Sequence, residues 1–262
     1  MTQSALAPAI PVLLVLAAAV AAAPDANPRP PAAVAGHEEI QDDIVRLAAD
    51  GGEFSAIHRA PQAGAGRGGL ILLHDQGTGA DSREIIRPLR LGLADAGWDT
   101  LSVQLPSAYR REGHEAWHAR APLIQARLQA AMAWLNTHGN SRQVVIAIGD
   151  SAAIALEFAA AQAPAGLRGI VLVSAAAEPD SASLSALQQR KLPILDIFAE
   201  RDRGRVVDAA AARLQAALEA GSDYYRQRAV LGATAGFPGL DDSLVASIRA
   251  WLSANTDPQP PG

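Results

Sequence analysis

A doubly wound, mostly parallel α/β sheet with helices on both faces is the fold class this sequence predicts, and three observations predict it. Continuous apolar runs such as Gly69–His74 (GLILLH) and Val144–Ile148 read as strands buried on both faces. Other segments carry apolar residues at helical spacing, several of them stopped by a glycine or proline. The two kinds alternate along the chain, which favours parallel pairing through helical crossovers. With 262 residues, 49% of them hydrophobic, the chain can build one sizeable core.

The elements follow in order. Leu6 to Ala23 is apolar, ends in small residues and holds Ala19-Val20-Ala21, an A-x-A cleavage pattern. Residues 1–23 therefore read as a secretory signal peptide, and export places the protein in the periplasm or outside the cell. No Lys or Arg precedes the run, and Pro8 and Pro11 interrupt it, so an uncleaved anchor and a misplaced start are the competing readings. Residues 24–36 form a Pro-rich linker, 37–254 the folded domain, and 255–262, ending in DPQPPG, a disordered tail.

Within the domain a short helix is expected near Gln41–Ala49. Phe54–Arg59 reads as an early strand that can pair antiparallel. Gly69–His74 is a strand, Ile85–Ala96 a helix stopped by Gly97, and Trp98–Leu105 a strand. Leu123, Ile124, Leu128, Ala131 and Leu135 form a helical stripe. Val144–Ile148 is a strand, followed by a helix that Pro164 ends. Gly169–Val173 and Ile194–Phe198 are strands, Val206–Ala220 a helix stopped by Gly221, and Tyr225–Leu231 the last strand. Leu244, Val245, Ile248, Trp251 and Leu252 mark an amphipathic final helix. Ligand sites in such sheets lie beyond the carboxyl ends of the strands.

Composition removes several functions. A net charge of −5 argues against a nucleic-acid partner. The absence of cysteine excludes disulfides, thiolate chemistry and a lipid-modified N-terminal cysteine. Aromatic residues make up 4% of the chain, which gives no hint of a sugar-stacking platform. No cofactor is expected.

Gly149-Asp150-Ser151-Ala152-Ala153 approximates the G-x-S-x-G turn on which a nucleophilic serine sits between strand and helix. Small residues two before and two after the serine let the backbone turn sharply. The helix N-terminus, with free N–H groups such as that of Ala152, favours an oxyanion there. The alternative is a strand-to-helix turn with a capping serine.

Taken with LILLHDQG and IIRPLRLGLADAGWDTLSVQLP, this turn resembles the α/β-hydrolase superfamily over about Phe54 to Leu252. The likeness is greatest to an uncharacterised bacterial envelope branch, domain of unknown function 3530. The resemblance implies Ser151 as nucleophile and Asp202 as acid, although Asp202 also reads as a solvated turn aspartate. It implies a histidine after the last strand, where Ala235 stands instead. All six histidines, His37, His58, His74, His114, His118 and His138, lie upstream of Ser151. Without imidazole a serine loses general-base help worth about 10²–10⁴ in rate.

The superfamily builds part of its oxyanion hole after the first central strand, usually from His-Gly. Here the loop reads His74-Asp75-Gln76-Gly77, and a carboxylate facing the hole would repel an oxyanion. His74 is expected to be structural. His114-Glu115-Ala116-Trp117-His118 matches the zinc-binding H-E-x-x-H pattern, with Glu115 as base and Glu157 as a downstream third ligand. Its charged, glycine-preceded context reads instead as a polar loop, and no metal site is expected. From that loop His114 or His118 could serve Ser151, because triads are defined by geometry.

Three functions result. The first is a catalytically degenerate hydrolase-fold protein that binds an unknown small-molecule or protein ligand, with no membrane span left after cleavage. The second is a serine ester or thioester hydrolase with a base from His114 or His118. The third is a zinc peptidase.

Overall fold

The computed structural model describes residues 42–64, 66–107, 110–162, 164–176 and 181–256. The expected leader, the linker and the last six residues of the expected tail lie outside these residues, as does His37. Among the described residues eight strands form one sheet, in the order β1-β2-β4-β3-β5-β6-β7-β8. In chain order they are β1 (Asp43–Ala49), β2 (Gly52–Arg59), β3 (Gly69–Leu73), β4 (Asp99–Val103), β5 (Gln143–Ile148), β6 (Leu167–Val173), β7 (Ile194–Arg201) and β8 (Tyr225–Thr234). β1, β2 and β4 pair antiparallel, and every pair from β4 through β3 to β8 is parallel.

The helices are α1 (Ile86–Asp95), α2 (Gly113–His118), α3 (Ala121–Thr137), α4 (Ser151–Gln162), α5 (Ser181–Gln189), α6 (Gly204–Glu219) and α7 (Asp241–Asn255). Side chains alternate across β3, so the sheet has a core on each face. Leu70 and Leu72 pack with Leu89 and Leu93 of α1 and Leu244 and Ile248 of α7. Ile71 and Leu73 pack with Ile124 and Leu128 of α3 and Phe158 of α4. These central strands were legible because both of their faces are apolar. Among the described residues no helix is long and apolar enough to cross a membrane.

Three elements differ from expectation. Residues 43–49 form a strand, not a helix. Leu47 turns inward while Ile44, Arg46 and Ala48 are exposed, a period of two. Asp50-Gly51 closes the chain onto β2, with Gly51 and Gly52 at φ of +102° and +111°, so the hairpin turn settles the conformation. Residues 113–118, expected as loop, form the short helix α2, anchored by a fully buried Trp117. Among the described side chains of the serine-rich α5, Leu184 and Leu187 are the only buried apolar ones, too sparse a stripe to stand out. The first residue of the expected tail, Asn255, ends α7, and the Thr256 hydroxyl donates to the Leu252 carbonyl at 2.7 Å.

Candidate active site

Loops at the carboxyl ends of the parallel strands bring the candidate residues together. A cleft of about 40 Å³ is lined by Asp75, Gly149, Ser174, Asp202, Arg205 and Ala235, among others. Asp202 and Ala235 both line it. Ser151 does not line it; the residue is fully buried at the start of α4.

The turn before Ser151 takes its left-handed step at Gly149, whose φ of +59° glycine adopts without strain. Among the described residues only Ser174, Lys191 and Phe237 have positive φ without being glycine, so Ser151 itself is unstrained. A nucleophile elbow instead holds its serine on a strained turn that exposes the hydroxyl. The Ser151 Oγ donates to the main-chain carbonyl of His74 at 2.6 Å. The hydroxyl thus bonds across to the β3 loop, neither to an imidazole nor to its own helix.

His74 is bonded at both ring nitrogens. The Leu105 N–H donates to Nε2 at 3.0 Å, so Nε2 is unprotonated, and Nδ1 donates to the Asp75 carbonyl at 2.9 Å. Burial lowers the pKa to about 4, opposed by the hydrogen bond that the ring donates to the Asp75 carbonyl. Both ring nitrogens are thus tied to the backbone of neighbouring loops.

Asp75 turns its carboxylate onto the backbone of the serine turn. Its Oδ1 accepts the N–H of Gln76 at 2.9 Å and that of Asp150 at 2.8 Å. A Cβ at Gly149 would stand 2.2 Å from the carboxyl group, so this approach requires glycine. The Gln76 N–H, which lies in the loop after β3, is thus already given to a carboxylate. The other expected donor, the Ala152 N–H, makes a 3.3 Å turn bond to the Gly149 carbonyl. Gly77 continues the turn at φ +73°, and the Gln76 side chain donates to the Gly113 carbonyl of α2 at 3.2 Å.

Asp202 is engaged in its own turn. It accepts the Ser174 hydroxyl at 2.6 Å, the Arg203 N–H at 2.8 Å and the Ala199 N–H at 3.3 Å. Ser174, held at φ +49° after β6, was not singled out in the sequence, where a lone serine after a strand carries no signal. Neither was Arg205, whose Nη1 lies 3.4 Å from Asp150 Oδ1.

The α2 histidines lie near the turn but face carboxylates. His114 Nδ1 is 3.4 Å from Asp150 Oδ1, and His118 Nε2 is 2.9 Å from Glu157 Oε1 on α4. Both side chains are more than 40% exposed. Among the described residues no group of three or more histidine or carboxylate side chains could hold a metal ion.

Residues 7–122 and 107–254 match the family model described as "Protein of unknown function (DUF3530)". No curated protein matches the chain. Solved structures give the fold. The dienelactone hydrolase of Anabaena variabilis matches at TM-score 0.64 and 21% identity, covering 82% of this chain and 98% of its own. An α/β serine hydrolase without a lid from Xanthomonas campestris matches at 0.63 and 14%, covering 86% and 100%. A cold-adapted esterase from an Arctic intertidal metagenomic library matches at 0.65 and 14%, covering 84% and 97%. At these identities the likeness is one of fold.

Proposed function

The chain belongs to the DUF3530 family and has the α/β-hydrolase fold, and from that premise we propose a catalytically silent member whose cleft binds a small-molecule or protein ligand. One observation carries this reading. The Ser151 hydroxyl is fully buried and spends its proton on the His74 carbonyl, so no base activates it. Three others support it: Ala235 lines the cleft where an imidazole is needed, Asp202 is satisfied by Ser174, and Asp75 occupies the Gln76 N–H. The test is turnover of short-chain p-nitrophenyl esters and acyl thioesters. Wild type and Ser151→Ala should hydrolyse them equally; Ser151-dependent turnover would overturn the reading.

One observation favours an active serine hydrolase. His114 reaches Asp150, the residue beside the serine. For catalysis it would have to leave Asp150, and Ser151 would have to leave the His74 carbonyl. That reading requires a large rate loss in His114→Ala or His118→Ala, and unchanged rates in both would remove it.

Export completes the proposal. Residues 1–23 carry the leader composition, and a periplasmic or secreted protein should show a new N-terminus between Ala21 and Pro24. Recovery of the mature protein beginning at Met1 would contradict it.

A further inference from the structure

The open edge of the sheet at β8 carries an apolar surface that the cleft does not use. β8 ends the strand order, so its outer side has no strand beside it among the described residues. The Ile194 N–H donates to the Tyr224 carbonyl at 2.8 Å, with Ile194 in register with Tyr225. That ladder turns the main chain of Arg226, Arg228 and Val230 to β7 and leaves the N–H and C=O of Gln227, Ala229 and Leu231 facing outward. The side chains of these three lie on the α6 face, because Gln227 is in register with Asp196, which holds Arg213 of α6. Arg226 and Arg228 alternate to the other face with the buried Val230.

α6 is apolar on two sides. Val206, Ala209, Ala210 and Ala217 are buried against the sheet. Val207, Ala211, Leu214 and Leu218 follow at spacings of four, three and four residues, the pattern of a helix seam. Leu214 stands one turn beyond Ala210, whose carbonyl accepts the Gln227 side chain at 2.7 Å, so the seam borders the β8 edge. Leu214 is 38% exposed, Leu218 65% and Leu231 77%. The other large apolar residue this exposed among the described residues, Ile44, lies on the opposite edge strand β1, where the exposed Asp43 and Arg46 guard against pairing.

We propose that two copies of the chain join through this face, their β8 strands pairing antiparallel about a two-fold axis at Ala229. A strand edge with a helical seam beside it is matched by a surface with the same two features at the same spacing, and a second copy presents that surface. Charge selects the register. An axis at Arg228 would set two guanidinium groups opposite each other, which is destabilising. An axis at Ala229 sets Arg228 opposite Val230 and Arg226 opposite Gly232, whose N–H is held by the Glu200 carboxylate at 2.8 Å, so the cation of each copy meets the anion of the other. The same register sets Leu231 opposite Gln227, and so beside the other copy's seam near Ala211. α6 is about 24 Å long, and the helix and sheet layers together stand roughly 20 Å high, so the face covers about 500 Å² and the pair about 1,000 Å², enough for a specific, reversible dimer. The dimer is independent of the serine chemistry, because Ser151, Asp202 and Ala235 take no part in it.

The experiment is light scattering across a concentration series of the full-length protein. Wild type should show a monomer–dimer equilibrium in the micromolar range. Leu231→Glu and Leu214→Glu should each raise the dissociation constant at least about tenfold, and Ile44→Glu on β1 should leave it unchanged. All three positions are exposed, and unchanged circular dichroism verifies that the variants are folded. The chain has no cysteine, so Ala229→Cys adds a single thiol. Facing Cα atoms of a hydrogen-bonded antiparallel pair lie about 5.5 Å apart, within disulfide range. Mild oxidation should convert Ala229→Cys to a covalent dimer and leave Ala48→Cys, on the β1 edge, monomeric on a denaturing gel. A wild-type monomer at every concentration would overturn the proposal. So would a dimer that both glutamate variants leave intact, or one that Ala229→Cys does not cross-link.

Discussion

The Ser151 hydroxyl donates a 2.6 Å hydrogen bond to the backbone carbonyl of His74, and this bond orders the surroundings of the serine turn. It joins α4 to the β3 loop. The same loop sends the His74 ring back to Leu105 and the Asp75 carboxylate onto Gly149 and Asp150. The Ser151 hydroxyl, the Gln76 N–H and the Ala152 N–H are each engaged within the fold, by the His74 carbonyl, the Asp75 carboxylate and the Gly149 carbonyl.

Two replacements should act together. Ala235→His alone should leave ester hydrolysis at background, because Asp75 still holds the Gln76 N–H. Adding Asp75→Gly frees that donor and removes the carboxylate that ties the His74 loop to the serine turn, releasing Ser151 from the His74 carbonyl, and the double variant should show weak Ser151-dependent turnover. One oxyanion donor is worth about 10²–10³ in rate, so turnover should rise measurably above either single variant. The check is p-nitrophenyl ester hydrolysis with Ser151→Ala in the same background.

Gly149→Ala should be costly. The substitution sets a Cβ at φ +59° and 2.2 Å from the Asp75 carboxyl group. A loss of at least about 2 kcal/mol is expected from the strain and the clash. Urea denaturation should show a lower midpoint, and Gly149→Ala/Asp75→Gly should recover part of it.

His74 makes stability depend on pH. Its folded pKa of about 4 lies below the ordinary 6.5, mainly through burial, so the unfolded chain binds this proton more tightly. The contribution is complete above pH 6.5 and is lost as pH falls from 6.5 through 4, by up to about 3 kcal/mol. In NMR the His74 ring should not titrate between pH 8 and 5; a midpoint near 6.5 would contradict this.

Away from the cleft, Asp196 and Arg213 form a buried pair between β7 and α6, with Nε–Oδ2 at 2.8 Å and Tyr225 also donating to Asp196. Asp196→Ala leaves the guanidinium buried beside no carboxylate and should cost about 3–5 kcal/mol. Replacing both, as Asp196→Leu/Arg213→Met, should cost clearly less by the same urea measurement.

The sequence disclosed what depends on local pattern. The central strands are apolar on both faces, which made them legible, and Asp202 and Ala235 line one cleft that Ser151 does not share. β1 was misread because five apolar residues in seven fit either period, and the hairpin turn at Asp50-Gly51 decided between them. α2 hid because its one apolar anchor, Trp117, stands among charged neighbours. The direction of the Ser151 hydroxyl was not legible at all. It depends on where the β3 loop lies, a contact between residues 77 positions apart.

The most direct test of a silent serine is labelling of the folded protein by a fluorophosphonate probe, beside Ser151→Ala and an active esterase. Such probes react with serines already activated by a base. The bond from Ser151 to His74 predicts no labelling above the mutant. Strong labelling that disappears in Ser151→Ala would show a working nucleophile and contradict the account.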